Sequence, residues 1–136
     1  MMSAFGSINY LAVLLFGSVG YLLGVFWYSC LGFGKTWSNL MRLEETELSE
    51  SLVSVTATIF AVLVTTLTLA LIIQAFAAKT FMGGAGVGLL VGIGLISPSM
   101  FTDHLFTQWK WDLFLIQAGY RVCFVTLAGG ILGFWR

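Results

Sequence analysis

At 136 residues the chain has the length of one ordinary domain, but 59% hydrophobic and 9% charged residues with a mean hydropathy of +0.98 exclude a soluble one, for which charge runs at about 25%. So little polar surface cannot coat a water-exposed core, and the apolar patches left over would exceed the few hundred Å² that soluble monomers tolerate. Lipid is therefore the solvent. Six Lys and Arg balance six Asp and Glu, which excludes nucleic acid as a partner because the basic footprint it needs is missing. The two cysteines, Cys30 and Cys123, lie at or inside apolar runs and do not form an extracellular disulfide framework.

Met1 to Ser7 contain neither Lys nor Arg, so the positive region of a secretory signal is lacking and the first apolar run is expected to stay in the membrane. A span needs about 20 apolar residues to cross about 30 Å of hydrocarbon. Windows from about Asn9 to Cys30, Val53 to Ala78, Phe81 to Phe101 and Leu113 to Trp135 meet that need. They lack the alternation of barrel strands, so the expected fold is all-α: a polytopic membrane protein forming a single four-helix transmembrane bundle.

The polar loop over residues 32–50 holds six of the twelve charges, Lys35, Arg42, Glu44, Glu45, Glu47 and Glu50. Within it Trp37, Leu40, Met41 and Leu48 recur at helical spacing, which fits either a short interfacial helix or a solvated loop with anchors. The connection at Lys79 and Thr80 is so short that the second and third spans must be antiparallel neighbours. Both termini then share a face with Lys79, and the long first loop shares the opposite face with the Phe106 to Asp112 connection. All six acidic residues, His104 and four of the five tryptophans belong to that loop face, as an interfacial aromatic belt would. Three basic residues at the loop face against two at the terminal face leave the orientation open.

Helices in lipid associate through close backbone approach and interhelical hydrogen bonds. Gly84, Gly88 and Gly92 form a small-residue stripe along the third span, broadened by Gly83, Gly86 and Gly94, and Gly20 with Gly24 and Gly129 with Gly133 repeat the spacing in the first and fourth spans. The stripe is expected to serve a tight bundle or a dimer seam. Thr58, Thr65 and Thr68 on the second span are expected to bond their own helix or a neighbour.

Arg121 is the one charge well inside a span, eight residues beyond Leu113, and a cation at the bilayer centre costs about 2.5–3.5 kcal/mol. It should point into the bundle or towards the loop face, with Gln117 one turn nearer that face. Pro98 should kink the end of the third span, where Ser99, Asp103 and Thr107 share a face. Asp103 is the expected counter-ion of Arg121, with Glu50 as the alternative. His104 alone makes no metal or haem site, no set of side chains calls for a cofactor, and nothing pairs a nucleophile with a base as an enzyme requires.

At these residues the chain resembles a family of small bacterial integral membrane proteins of unknown function, the DUF1761 proteins. The resemblance rests on Ile8-Asn9-Tyr10-Leu11-Ala12-Val13, on Gly24-Val25-Phe26-Trp27-Tyr28-Ser29 with Phe33-Gly34-Lys35-Thr36-Trp37, and on Ala118-Gly119-Tyr120. It implies a four-helix membrane fold and carries no activity or site residue. The expected function is a non-catalytic helix-packing protein of a bacterial inner membrane or its organellar equivalent, working as a homo-oligomer or as an accessory subunit of a larger membrane complex. The rival is a small-solute or proton transporter using Asp103 and Arg121, which would need polar groups reaching both faces; near the terminal face there are few beyond Asn9, Gln74 and Thr126.

Overall fold

The computed structural model describes residues 6, 8–29, 31–41 and 52–135. Among these, every regular element is helical: α1 (Tyr10–Trp27), α2 (Gly34–Met41), α3 (Leu52–Ala75), α4 (Phe81–Val91), a π-helical turn (Gly92–Ile96), α5 (Ser97–Thr107) and α6 (Trp111–Phe134). Four stretches are long and apolar enough to cross a membrane: α1, most of α3, α4 through α5 as one continuous rod, and α6.

The ends of the spans follow from local chemistry. Asn9 caps α1, its side chain accepting from the Ala12 N–H at 3.1 Å, and satisfies a donor that lipid could not. The first span stops at Trp27 rather than Cys30, because the chain turns at once: the Phe33 N–H returns to the Trp27 carbonyl at 2.8 Å and the Gly34 N–H to Ser29 at 3.1 Å. The second stops at Ala75 rather than Ala78. Ala77 takes a left-handed conformation with φ 50°, while the Ala78 N–H reaches the Ile73 carbonyl at 3.1 Å and the Ala77 N–H that of Gln74 at 3.0 Å. This is a Schellman closure of the helix. Thr80 then opens α4 by accepting from the Gly83 N–H at 3.0 Å.

The third span runs to Thr107, not Phe101. Pro98 has no N–H to give and its ring crowds the preceding turn; instead of breaking, the helix widens into the π turn, and the Ser97 hydroxyl bonds the Gly92 carbonyl at 2.9 Å. At 27 residues the rod is roughly 40 Å long, longer than the roughly 30 Å of hydrocarbon a span must cross. Over residues 34–41 the first loop forms the short helix α2, and its Trp37 ring stands edge-on to Tyr28 at 5.4 Å; Leu48 lies outside the described residues.

The fourth span is the hub. Inside the fold, 44% of its most apolar stretch is buried, against 22% for each of the other three spans. Phe124, Val125, Ala128 and Leu132 of α6 join Ala12 and Val13 of α1, Leu69 and Ile73 of α3 and Val87 of α4 in one core, which lies in the half of the bundle nearer the terminal face.

Candidate functional site

The glycines come first because they decide what the bundle leaves open. A Cβ on Gly84 would collide with the Gly129 carbonyl oxygen and sit 3.0 Å from Gly133 Cα, and one on Gly88 would collide with the Val125 carbonyl oxygen. From the other side, a Cβ on Gly133 would lie 2.9 Å from Gly84 Cα. Gly84, Gly88, Gly129 and Gly133 thus bring the backbones of α4 and α6 together within one chain. Gly92 extends the contact less tightly, with a Cβ 3.1 Å from Val122 Cα. In α1, Gly20 accommodates the Phe124 ring and Gly24 the Tyr120 hydroxyl, 2.9 Å from a Cβ placed there.

Tyr120 of α6 ties the two spans together, donating from its hydroxyl to the Gly20 carbonyl at 3.1 Å. Trp27 answers in the opposite direction, its indole N–H reaching the Ile116 carbonyl at 3.1 Å. Around them the rings interlock: Trp27 with Phe33 at 5.0 Å, Trp27 with Tyr120 at 6.3 Å and Tyr28 with Tyr120 at 5.6 Å. The segment carrying Trp27 and Phe33 and the distant one carrying Tyr120 therefore meet in one aromatic cluster below the loop face.

Beside this cluster α3 leaves the bundle. Thr66, Leu69 and Ile73 are buried, whereas on the same face nearer the loop end Val55 is half-buried and Thr58 and Ile59 are exposed. The gap is a cavity of about 460 Å³ lined by Tyr21, Gly24, Tyr28, Val55, Thr58 and Tyr120 among others. Arg121 stands next to it. It lies seven and eleven residues before Ala128 and Leu132, so the face of α6 buried in the core lower down carries Arg121 where α3 has moved away, and Arg121 is exposed there. Burial pushes the hydroxyl of Tyr28, just past the end of α1, above its ordinary value of 10.0, and the nearby Arg121 charge pulls it part of the way back.

The structure does not bring Asp103 to Arg121, and among the described residues no carboxylate lies within ion-pair distance of the guanidinium. The reason is register. The α5–α6 hairpin turns at Gln108, held at φ 54°, which sets Asp103 opposite the first turns of α6, roughly 9 Å along the axis from Arg121. Asp103 is exposed, and Gln117, half-buried, is the neighbour one turn from Arg121. Glu50 lies outside the described residues.

His104 takes the inward position beside Asp103. It is 5% exposed and packs on Trp111 at 4.6 Å, Phe114 at 5.2 Å and Phe101 at 6.0 Å, with no hydrogen bond at Nδ1. Among the described residues no group of three or more His, Cys, Asp or Glu could hold a metal. Threonines of α3 bond their own helix: Thr56 donates to Leu52 at 2.7 Å, Thr65 to Ala61 at 2.9 Å and the buried Thr66 to Val62 at 2.8 Å.

Sequence reasoning missed Tyr21, Tyr28 and Thr58 as cavity residues. The signal was there in outline: two tyrosines seven apart, with Gly17 and Gly24, on one face of an otherwise apolar span. No curated protein and no solved structure matches the chain. Residues 11–133, nearly its whole length and all four spans, match the pattern of the family described as "Protein of unknown function (DUF1761)", and the chain belongs to that family.

Proposed function

We propose that this is a non-catalytic helix-packing protein of the membrane, acting through the outer face of α4 as a homo-oligomer or as an accessory subunit of a larger membrane assembly. The observation that supports this is the division of the third span into two small-residue faces. Gly84, Gly88 and Gly92 are buried against α6, while Gly83, Gly86 and Gly94 are exposed on the opposite side, and a Cβ on Gly86 would meet nothing within 4 Å. In lipid, where apolar surface alone does not drive helices together, the low patch at Gly83 and Gly86, bounded by the exposed Leu90 that separates it from Gly94, lets a helix from outside the chain approach its backbone. The rival transport reading has no Asp103–Arg121 ion pair behind it among the described residues.

Purification from the native membrane in mild detergent, followed by mass determination of the intact particle, tests the proposal. The expected particle is larger than one chain, and Gly86→Leu should reduce its association by about 1 kcal/mol, roughly fivefold, with no loss of thermal stability. A particle that is always a lone monomer would overturn it.

A further inference from the structure

We infer that the opening between α1 and α3 is a binding site for one anionic phospholipid, with its phosphate held at the loop-face end by Arg121 and Tyr28 and an acyl chain running along the α1–α3 seam. This goes beyond the packing role and uses a different surface from the outer face of α4.

The shape of the opening is amphipathic along its length. At the loop-face end are the Tyr28 hydroxyl, Ser29 and Thr58; Arg121 does not line the opening itself but stands close enough for its charge to act on the Tyr28 hydroxyl. Tyr21 leads from there into a second hollow of about 300 Å³, lined by Leu14, Gly17, Leu22, Ile59 and Leu63. Below it the seam closes at Ala12, Val13, Leu69 and Ile73. One polar end and an apolar run match a headgroup phosphate followed by a chain.

Charge selects the headgroup. Arg121 is exposed ten residues into α6, and no described carboxylate neutralises it. An unpaired cation at that depth is costly, and the arginine stem is long and flexible enough to carry the guanidinium towards the loop face and the level of Tyr28, whose hydroxyl feels its charge. There it offers a planar fork of donors suited to a phosphate, beside a phenolic hydroxyl. The indole N–H of Trp37, which stands on Tyr28, also lacks a partner among the described residues.

Access favours a lipid over the other anions. Val25, exposed on α1, and Val55 on α3 line the opening and both belong to membrane-spanning stretches, so a free anion would have to cross lipid to enter from that side, whereas a phospholipid diffuses in laterally. A partner helix is about 10 Å wide and does not fit between α1 and α3, which are already in contact from Gly17 and Leu63 downwards.

The test uses the full chain, purified and delipidated in a neutral detergent, with phosphatidylglycerol titrated in and binding read by native mass spectrometry and by thermal shift. The same titration is made with phosphatidylcholine and with inorganic phosphate. Phosphatidylglycerol should bind one molecule per chain about fivefold to tenfold more tightly than phosphatidylcholine. Arg121→Gln should abolish that preference, Arg121→Lys should keep part of it, and Gly86→Leu should leave it intact. Equal binding of the two lipids, a preference that survives Arg121→Gln in the folded variant, saturation by inorganic phosphate alone, or an acidic partner chain that displaces the lipid from this opening would each overturn the inference. Should Arg121→Gln not fold, Tyr28→Phe is the second variant: because both lipids carry the phosphodiester, it should weaken both, and unchanged binding of both would count against a phosphate contact.

Discussion

The α4–α6 contact and the α1–α3 contact are built from the same apolar alphabet and end up opposite in character. Between α4 and α6, glycines face glycines: a Cβ on Gly129 would lie 2.5 Å from the Gly84 carbonyl oxygen and 3.1 Å from Gly88 Cα. Between α1 and α3, one glycine faces a bulky side chain, Gly17 against Leu63, with a Cβ 2.6 Å from the leucine's end, and above that point the helices part around Tyr21. Apolarity puts all four spans in lipid, but the size of the facing residues sets how closely two of them meet. Close approach gives the chain a rigid half, and the bulkier seam leaves space where polar side chains gather.

The strongest way to break this comparison is to put a side chain into the rigid half. Gly88→Ile should destabilise the fold by roughly 3 kcal/mol, because the new atoms meet the Val125 backbone, which cannot rotate away; detergent denaturation of the purified variant measures it. A loss below about 1 kcal/mol would mean that the two helices separate easily and the contrast is overstated. Gly20→Ala is the milder counterpart. Its Cβ meets the Phe124 ring, a side chain that can shift, so about 1 kcal/mol is expected in the same assay.

A smaller effect probes the border between the halves. Tyr120→Phe removes the hydroxyl bond to Gly20 and keeps the ring contacts, and interhelical hydrogen bonds in membranes average about 0.6 kcal/mol. A loss of that size, with Trp27 fluorescence unchanged, would show the bond as a local tie. A shifted Trp27 emission would show that Tyr120 also holds the indole in place on Ile116.

How much of this was legible before the fold depended on whether the information was local. Hydropathy placed all four spans, since a run of apolar residues needs no partner to declare itself. Spacing identified Gly84, Gly88 and Gly92 as a contact stripe, yet a stripe looks the same whether it meets α6 or another chain; only the complementary Gly129 and Gly133 across a short hairpin resolve it. Arg121 and Asp103 were matched by chemistry and separated by register, because the length of the α5–α6 hairpin decides which turns stand level. Pro98 announced a disturbance but not its form, for a kink and a π turn start from the same missing N–H. The opening beside Arg121 was the least legible, since it exists only where α3 leaves the bundle.

The turn that joins α3, on the open side, to α4, on the closed side, gives the smallest expected effect. Ala77 sits there at φ 50°, where a side chain costs about 1–2 kcal/mol and where glycine is the usual residue at the end of a helix. Ala77→Gly relieves that strain but widens the conformational freedom of the unfolded chain, which costs about 0.5–1 kcal/mol. The balance is a gain of about 0.5 kcal/mol, visible as a small rise in thermal midpoint with no change in phosphatidylglycerol binding, because the turn lies at the terminal face and the lipid opening at the loop face. A rise in stability that came with lost lipid preference would mean that the strained turn sets the angle at which α3 departs, and that the open and closed halves are coupled through Ala77.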